Sequence, residues 1–185
     1  MVNVRLQHIA DNAFVSIGNM AYHYKNKEAI VLAIHDRLSE EQKNLTAEMN
    51  VVPLFDYVDR YFRQSYELQQ KYSFFFTDML EVFRAYSAIA EAHNRLINWH
   101  KNQLKMALEF NKNRGAFDGF EFEDQLSRQV DQLWMASYMY NSYRLIDGCK
   151  PNAQDFCDQI WNFLIPLMSD KGLAEYKQLR SLVSI

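Results

Sequence analysis

The chain has 185 residues, of which 49% are hydrophobic, 15% aromatic and 23% charged, so it can bury a sizeable core and is not a disordered polymer. Five glycines and three prolines supply too few turn residues for a β-sandwich, barrel or hairpin-rich repeat, which leaves an all-α protein. A net charge of −3 excludes a surface coated in basic residues for indiscriminate nucleic-acid or membrane binding, while a small local DNA-reading element stays open.

No run of about 18 uncharged apolar residues occurs, and Met1-Val2-Asn3-Val4-Arg5 opens neither a signal nor a transit peptide; a cytoplasmic protein without a membrane partner is expected. Cys149 and Cys157, eight positions apart, suit neither a disulfide framework nor a zinc ribbon and are read as reduced, packed thiols.

In chain order, a short helix is expected from about Leu6 to Ala13, with Leu6, Ile9, Ala10 and Ala13 on one face. Phe14-Val15-Ser16 breaks the pattern, and the Ser16 hydroxyl caps a second short helix from Ile17 to about Tyr24. Asn26 caps a long helix reaching to about Met49; Glu28 complements its positive end, and Ile34, Leu38, Leu45 and Met49 mark its buried face. Pro53 fits the first turn of the next helix, whose stripe of Leu54, Val58, Tyr61, Phe62 and Ser65 runs to about Gln70. Tyr72 to Tyr86 follows, carrying Phe74-Phe75-Phe76. A long helix from roughly Ser87 to Asn113 has Leu96, Trp99, Met106 and Phe110 in line before Arg114-Gly115 stops it. Gly119 lies in the connecting loop.

From about Glu123 the chain is helical again, and between Leu133 and Ile146 the only charge is Arg144. A helix apolar nearly all round must be covered on every side, so a partner subunit is expected to supply part of the cover. The last long helix, about Ala153 to Ser169, repeats the signal with Phe156, Ile160, Trp161, Phe163, Leu164, Leu167 and Met168; Pro166 is expected to kink or shorten its end. These last two long helices from two chains would make the four-helix seam of a homodimer.

Chemistry-bearing motifs are missing. No carboxylate stands three positions before any histidine, no two histidines are four apart, and there is no glycine-rich phosphate loop, GxSxG or CxxC. No metal, no cofactor and no enzymatic activity are expected. His93 and His100, two turns apart, are read as satisfied core or solvent-facing histidines.

A helix, a tight turn and a second short helix form the layout that places a recognition helix in a major groove. The residues add to it. IADNAFVSIGNMAYHYKNKEAI, Ile9 to Ile30, resembles the pattern IA-x-x-AGVS-x-G-x-LY-x-HF-x-x-KE-x-L of the tetracycline-repressor (TetR) family of bacterial regulators. Ile9, Ala10, Ala13, Val15, Ser16, Gly18, His23, Lys27 and Glu28 match outright, and Met20, Tyr24 and Ile30 are conservative replacements.

The resemblance implies a helix-turn-helix module binding a palindromic double-stranded operator, followed by a helical ligand-binding and dimerisation domain. The division falls at residues 1–48 and 49–185. Within the module, Ser16 caps the recognition helix and presents its backbone N–H to a phosphate, and Gly18 permits close approach to DNA. Helical spacing points Ile17, Asn19 and Tyr22 outward, with Asn19 as the chief base reader. His23 and Lys27 resemble phosphate-contacting positions of the family, and Arg5 and Lys25 add charge neutralisation. Tyr24 is read as core and Tyr22 as surface.

Three departures stand out. Phe14 occupies the turn position where the family has glycine, and a bulky residue at positive φ costs about 1 kcal/mol or more. Ala21 replaces a tyrosine. Only five residues precede Leu6, where the family carries a complete first helix, and two short helices cannot alone bury Leu6, Ile9, Val15, Met20 and Tyr24. Either the polypeptide is cut at its N-terminus or stable DNA binding has been abandoned.

In the second module, Tyr61, Phe62, Phe83, Trp99, His100, Trp134 and Tyr138 come from helices that converge in the family's ligand domain, and imply a pocket for an apolar or aromatic effector. Ordinary aromatic core is the other reading for each of them. The expected function is a homodimeric regulator, a repressor released when a small molecule enters the helical domain. The alternative is a dimeric ligand-binding or interaction protein with a vestigial DNA module. Neither effector nor operator is legible from the residues.

Overall fold

A computed structural model describes residues 4–46 and 52–183, and among these residues there are ten α-helices and no strand. In chain order they are α1 (Leu6–Asn12), α2 (Ile17–His23), α3 (Lys27–Leu45), α4 (Phe55–Lys71), α5 (Ser73–Thr77), α6 (Met79–Ala85), α7 (Ser87–Asn113), α8 (Gln125–Ile146), α9 (Ala153–Asn162) and α10 (Asp170–Val183). No helix among them is long and apolar enough to cross a membrane.

Several differences from the sequence-based expectations have direct causes. Pro53 precedes the Leu54 cap instead of sitting inside α4, and its carbonyl accepts from the Asn111 side chain at 2.7 Å. The expected single helix over 72–86 is divided at Asp78 into α5 and α6. The expected helix to Ser169 ends at Asn162, because Pro166 has no N–H to continue it, and Ile165–Leu167 form a 3-10 turn. A tenth helix follows that the periodicity did not reveal. Met49 lies outside the described residues.

Three helix ends share one device. After α7 the Gly115 N–H bonds to Lys112 and the Ala116 N–H to Asn111; after α8 Gly148 and Cys149 do the same to Leu145 and Arg144. Both glycines have positive φ, as this C-terminal closure requires. The end of α1 is built identically, with Phe14 bonded to Asp11 and Val15 to Ala10. Here the left-handed residue is Phe14, at φ 55° and 95% exposed. The expected strain is present.

Packing divides into three clusters. Ala10, Met20 and Ile30 tie α1, α2 and the start of α3 together, with Leu6, Ile9 and Ile34 half-buried around them. A second cluster joins α3, α5, α6, α7 and α8 through Val31, Leu38, Phe75, Phe76, Val82, Ile89 and Tyr138. The third and largest wraps α4, α7, α8 and α9 around Trp161, Phe156, Ile160 and Leu133. α3 thus belongs to both the N-terminal cluster and the body of the molecule.

α10 is held by backbone. The Ser169 Oγ accepts from Gly172 N and donates to the Gly115 carbonyl, while the Ser169 N–H donates to Ala116. The approach is so close that a Cβ on Gly172 would lie 2.1 Å from the Ala116 oxygen.

Candidate functional site

The first candidate surface is α2. Ser16 has extended backbone, and its Oγ accepts from the Asn19 N–H at 3.1 Å, which starts the helix as its sequence suggests. Met20 turns inward onto Ala10 and Ile30, and that single anchor fixes which side of the seven-residue helix faces solvent. Ile17, Gly18, Asn19, Tyr22 and His23 are all exposed, Tyr22 at 85%. The Tyr22 and His23 rings meet edge-on at 5.1 Å. A Cβ on Gly18 would meet only Ser16 Oγ, at 4.0 Å, so nothing inside the protein demands glycine there.

Arg5 at the head of α1 and Lys25 in the α2–α3 turn are exposed cations on the same module. Lys27 is half-buried, and its Nζ donates to the Val4 carbonyl at 3.0 Å, so it also holds the N-terminal segment against α3. Tyr24 corrects the sequence reading. It is exposed at 38%, and Val15 at 36%, because the three-residue cluster of α1, α2 and α3 has no further apolar surface to cover them.

The second candidate is an interior gap between α3, α4, α7 and α8, lined by Gln42, Tyr61, Phe62, His100, Trp134 and Tyr138 together with Ser65, Gln69, Ser137 and three apolar neighbours. Its volume is about 30 Å³, room for on the order of two waters. Five of the seven expected pocket residues meet here. Phe83 does not: it packs on Phe75 and His93 in the second cluster. Trp99 does not either. It stands edge-on to His100 at 5.0 Å but faces an open groove with His35, Asp36, Lys43 and Arg95.

The reason is a rotated register. α7 buries Ile89, His93, Leu96, His100, Leu104, Ala107, Leu108 and Asn111, whereas Met106 and Phe110 are exposed. The inward stripe runs through both histidines. α3 likewise buries His35, Leu38 and Gln42, with Ile34 and Leu45 half-buried beside them.

Gln42 and His35 were missed as inward-facing residues, although Gln42 stands one helical repeat after His35 on the face of Leu38. The signal was present in the spacing. It was masked because polar side chains do not score as inward.

Inside the gap no side chain carries a fixed charge. Burial pulls His100 down to about 4 and pushes Tyr61 up to about 12, and Tyr138 is also raised by burial. Tyr61 Oη and His100 Nδ1 are 3.3 Å apart. Tyr138 bonds to His93 Nε2 and stacks on Trp134 at 4.7 Å. Lys101 covers the Trp134 ring at 4.9 Å and pairs with Asp131 at 2.8 Å. Gln42 Oε1, His100 Nε2 and Trp134 Nε1 are buried without a partner. Among the described residues no group of three or more His, Cys, Asp or Glu side chains is placed to hold a metal ion.

An all-helical body joined through one long helix to a small exposed helix-turn-helix defines a class of DNA-binding regulators. The comparisons agree. The TetR family profile, described as a bacterial transcriptional repressor, matches residues 33–176. The fold is similar to the crystal structure of a TetR-family transcriptional regulator from Marinobacter aquaeolei VT8, with a TM-score of 0.81 at 14% identity, covering 97% of this chain and 88% of that one. Among curated proteins no significant match is found. The chain belongs to the TetR family of transcriptional regulators, which are DNA-binding proteins and not enzymes.

Proposed function

We propose that this TetR-family protein is a homodimeric repressor that binds a palindromic operator through α2 and is released when a small molecule enters the gap between α3, α4, α7 and α8. The observation that carries this reading is the double membership of α3. Ile30 on its first turns packs with Met20 of α2, and Gln42 three turns later lines the gap. An occupant that changes the seating of Gln42 therefore shifts the element on which α2 rests, which is a population shift between two arrangements of one helix.

Residues 1–48 act as the DNA-reading unit and residues 49–185 as the sensing and dimerising unit. Asn19, with Ile17 and Tyr22 beside it, reads base edges; His23, Lys25, Lys27 and Arg5 neutralise phosphates. The dimer forms along α8. Met135, Met139, Tyr143 and Ile146 follow one helical stripe, all at least half exposed. α9 itself points Phe156, Cys157, Ile160 and Trp161 into its own core, so its contribution to a seam is smaller than its composition suggests.

Selection of bound duplexes from a random DNA pool, followed by anisotropy at several salt concentrations, tests the assignment. Asn19→Ala is expected to weaken the selected duplex at least tenfold with an unchanged salt slope. Failure to enrich any duplex favours a ligand-binding or interaction protein with a vestigial DNA module, the reading to which the exposed Val15 and Tyr24 and the strained Phe14 lend support.

A further inference from the structure

The three orphaned polar atoms of the interior gap come from three different helices: Gln42 Oε1 from α3, His100 Nε2 from α7 and Trp134 Nε1 from α8. Gln42 and His100 are 8% and 7% exposed, so neither is satisfied by bulk water. Leaving such atoms unpaired costs about 1–3 kcal/mol each, and their convergence on one gap points to a polar occupant.

Their hydrogen-bonding sense is readable. The indole N–H only donates. Between a phenol and a neutral imidazole the O–H is the stronger donor and the ring nitrogen the better acceptor, so Tyr61 Oη donates to His100 Nδ1, and an imidazole that accepts at Nδ1 carries its proton on Nε2. His100 and Trp134 therefore present two donors, and Gln42 Oε1 presents an acceptor. Beyond this polar end, Phe62, Leu104 and Leu133 continue into a second, wholly apolar gap.

Resting on the effector-site reading above, we infer that the site takes a neutral carboxamide, its carbonyl oxygen accepting from His100 Nε2 and Trp134 Nε1, its N–H donating to Gln42 Oε1, and its apolar substituent lying along Phe62, Leu104 and Leu133. A carboxamide carries acceptor and donor on neighbouring atoms and has no charge to desolvate, so it meets the two donors and the Gln42 oxygen at once. A carboxylate would meet the Gln42 oxygen with a second acceptor and no fixed cation. An ammonium would offer nothing to the two donors. The headgroup fits a space of two waters, but an aromatic substituent requires the walls to part, and Gln42 on α3 is one of those walls.

Four probes sharing one ring separate the possibilities: benzamide, benzoate, benzylamine and acetophenone. Binding to the full chain is read by calorimetry and by the 15N indole resonance of Trp134, identified by its loss in Trp134→Phe. Benzamide is expected to bind saturably and shift that resonance, with benzoate and benzylamine at least tenfold weaker and acetophenone intermediate. Trp134→Phe and Gln42→Leu, both checked for an unchanged melting profile, are each expected to weaken benzamide about tenfold.

Equal affinity for benzoate, substitutions without effect, or a gap that holds ordered water and shows no saturable response to benzamide would overturn the inference. The broader reading is scored separately by operator anisotropy. Benzamide that binds without releasing DNA leaves the site chemistry standing and removes effector control; release by a compound that leaves the Trp134 resonance unmoved does the reverse.

Discussion

His35 of α3 and His93 of α7 are joined side chain to side chain, Nε2 to Nδ1 at 3.2 Å, while Tyr138 of α8 closes the other nitrogen of His93. The phenol is the strongest donor of the three groups and sets the sense of the chain. The Tyr138 O–H donates to His93, the His93 Nδ1–H donates to His35, and His35 keeps its own proton on Nδ1, 3.9 Å from Asp36. The connecting helix is thereby hydrogen-bonded across the body to His93, whose partner Tyr138 lines the interior gap.

This chain of neutral groups predicts acid lability. Burial depresses all three histidines, His93 to about 3 and His100 to about 4, with His35 lowered as well. The unfolded chain takes up protons from about pH 6.5 downward, whereas the folded one does not until the depressed values are reached. Stability is therefore full above pH 7 and falls as the pH drops from 6.5 toward 4, His93 and His100 each contributing up to about 1.4 kcal/mol per pH unit in that window and His35 adding in the same direction. Urea unfolding at stepped pH measures the slope, and His93→Gln is expected to flatten it whatever its effect on the midpoint.

Asp59 joins α4 to α9. Its Oδ1 accepts from Trp161 Nε1 at 2.8 Å and its Oδ2 from Arg63 Nε at 2.7 Å, with the carboxylate buried beneath α9. Asp59→Ala strands an indole N–H and a half-buried guanidinium together, a loss expected at about 3 kcal/mol or more. Asp59→Asn keeps one acceptor for Trp161 and should lose less. Chemical denaturation of the two variants ranks them.

Gly172→Ala drives a methyl group into the Ala116 carbonyl. The backbone there cannot yield without opening the Ser169 hydrogen bonds, so a destabilisation of about 1–3 kcal/mol is expected. Faster hydrogen exchange confined to 170–183 would locate it in α10.

Phe14→Gly removes a left-handed side chain that covers nothing. Relief of about 1–2 kcal/mol of backbone strain is opposed by about 0.5–1 kcal/mol of added chain freedom, leaving a small net gain. Slower hydrogen exchange in α1 and α2, with the global melting point unchanged, is the expected signature.

Met139→Glu with Tyr143→Glu places two charges on the exposed stripe of α8. Sedimentation velocity is expected to show a folded monomer where the parent chain is a dimer. A dimer that survives both charges locates the seam elsewhere.

Much of the fold was legible because helix punctuation is local. Ser16, Asn26 and the Arg114-Gly115 pair mark ends found within a residue of their expected places, and the 27-residue α7 has the expected bounds. What escaped was side-chain register wherever a polar residue faces inward. His93, His100 and Asn111 interrupt the apolar count of α7, so Trp99, Met106 and Phe110 were read as its buried line although they lie off it. α10 escaped for a related reason: Leu173, Tyr176 and Leu179 are only partly covered and Gly172 disrupts the helical signal, whereas the residue it touches, Ala116, lies far back in the chain. The gap was partly legible through its aromatics. Gln42 was not, because an amide is recognisable as a wall only once its helix is seen against α4 and α7.

From Ile30, where α3 packs against Met20 of α2, to Gln42 is about 18 Å of helix at 1.5 Å per residue. A swing of about 10° pivoting at Gln42 carries the far end sideways by about 3 Å, close to the 3.4 Å rise of one base step. Two such arms in a dimer move their tips independently of any change in the arms themselves. A rod this stiff, gripped at one tip and nudged near the other, needs no melting or refolding to misalign a pair of adjacent grooves.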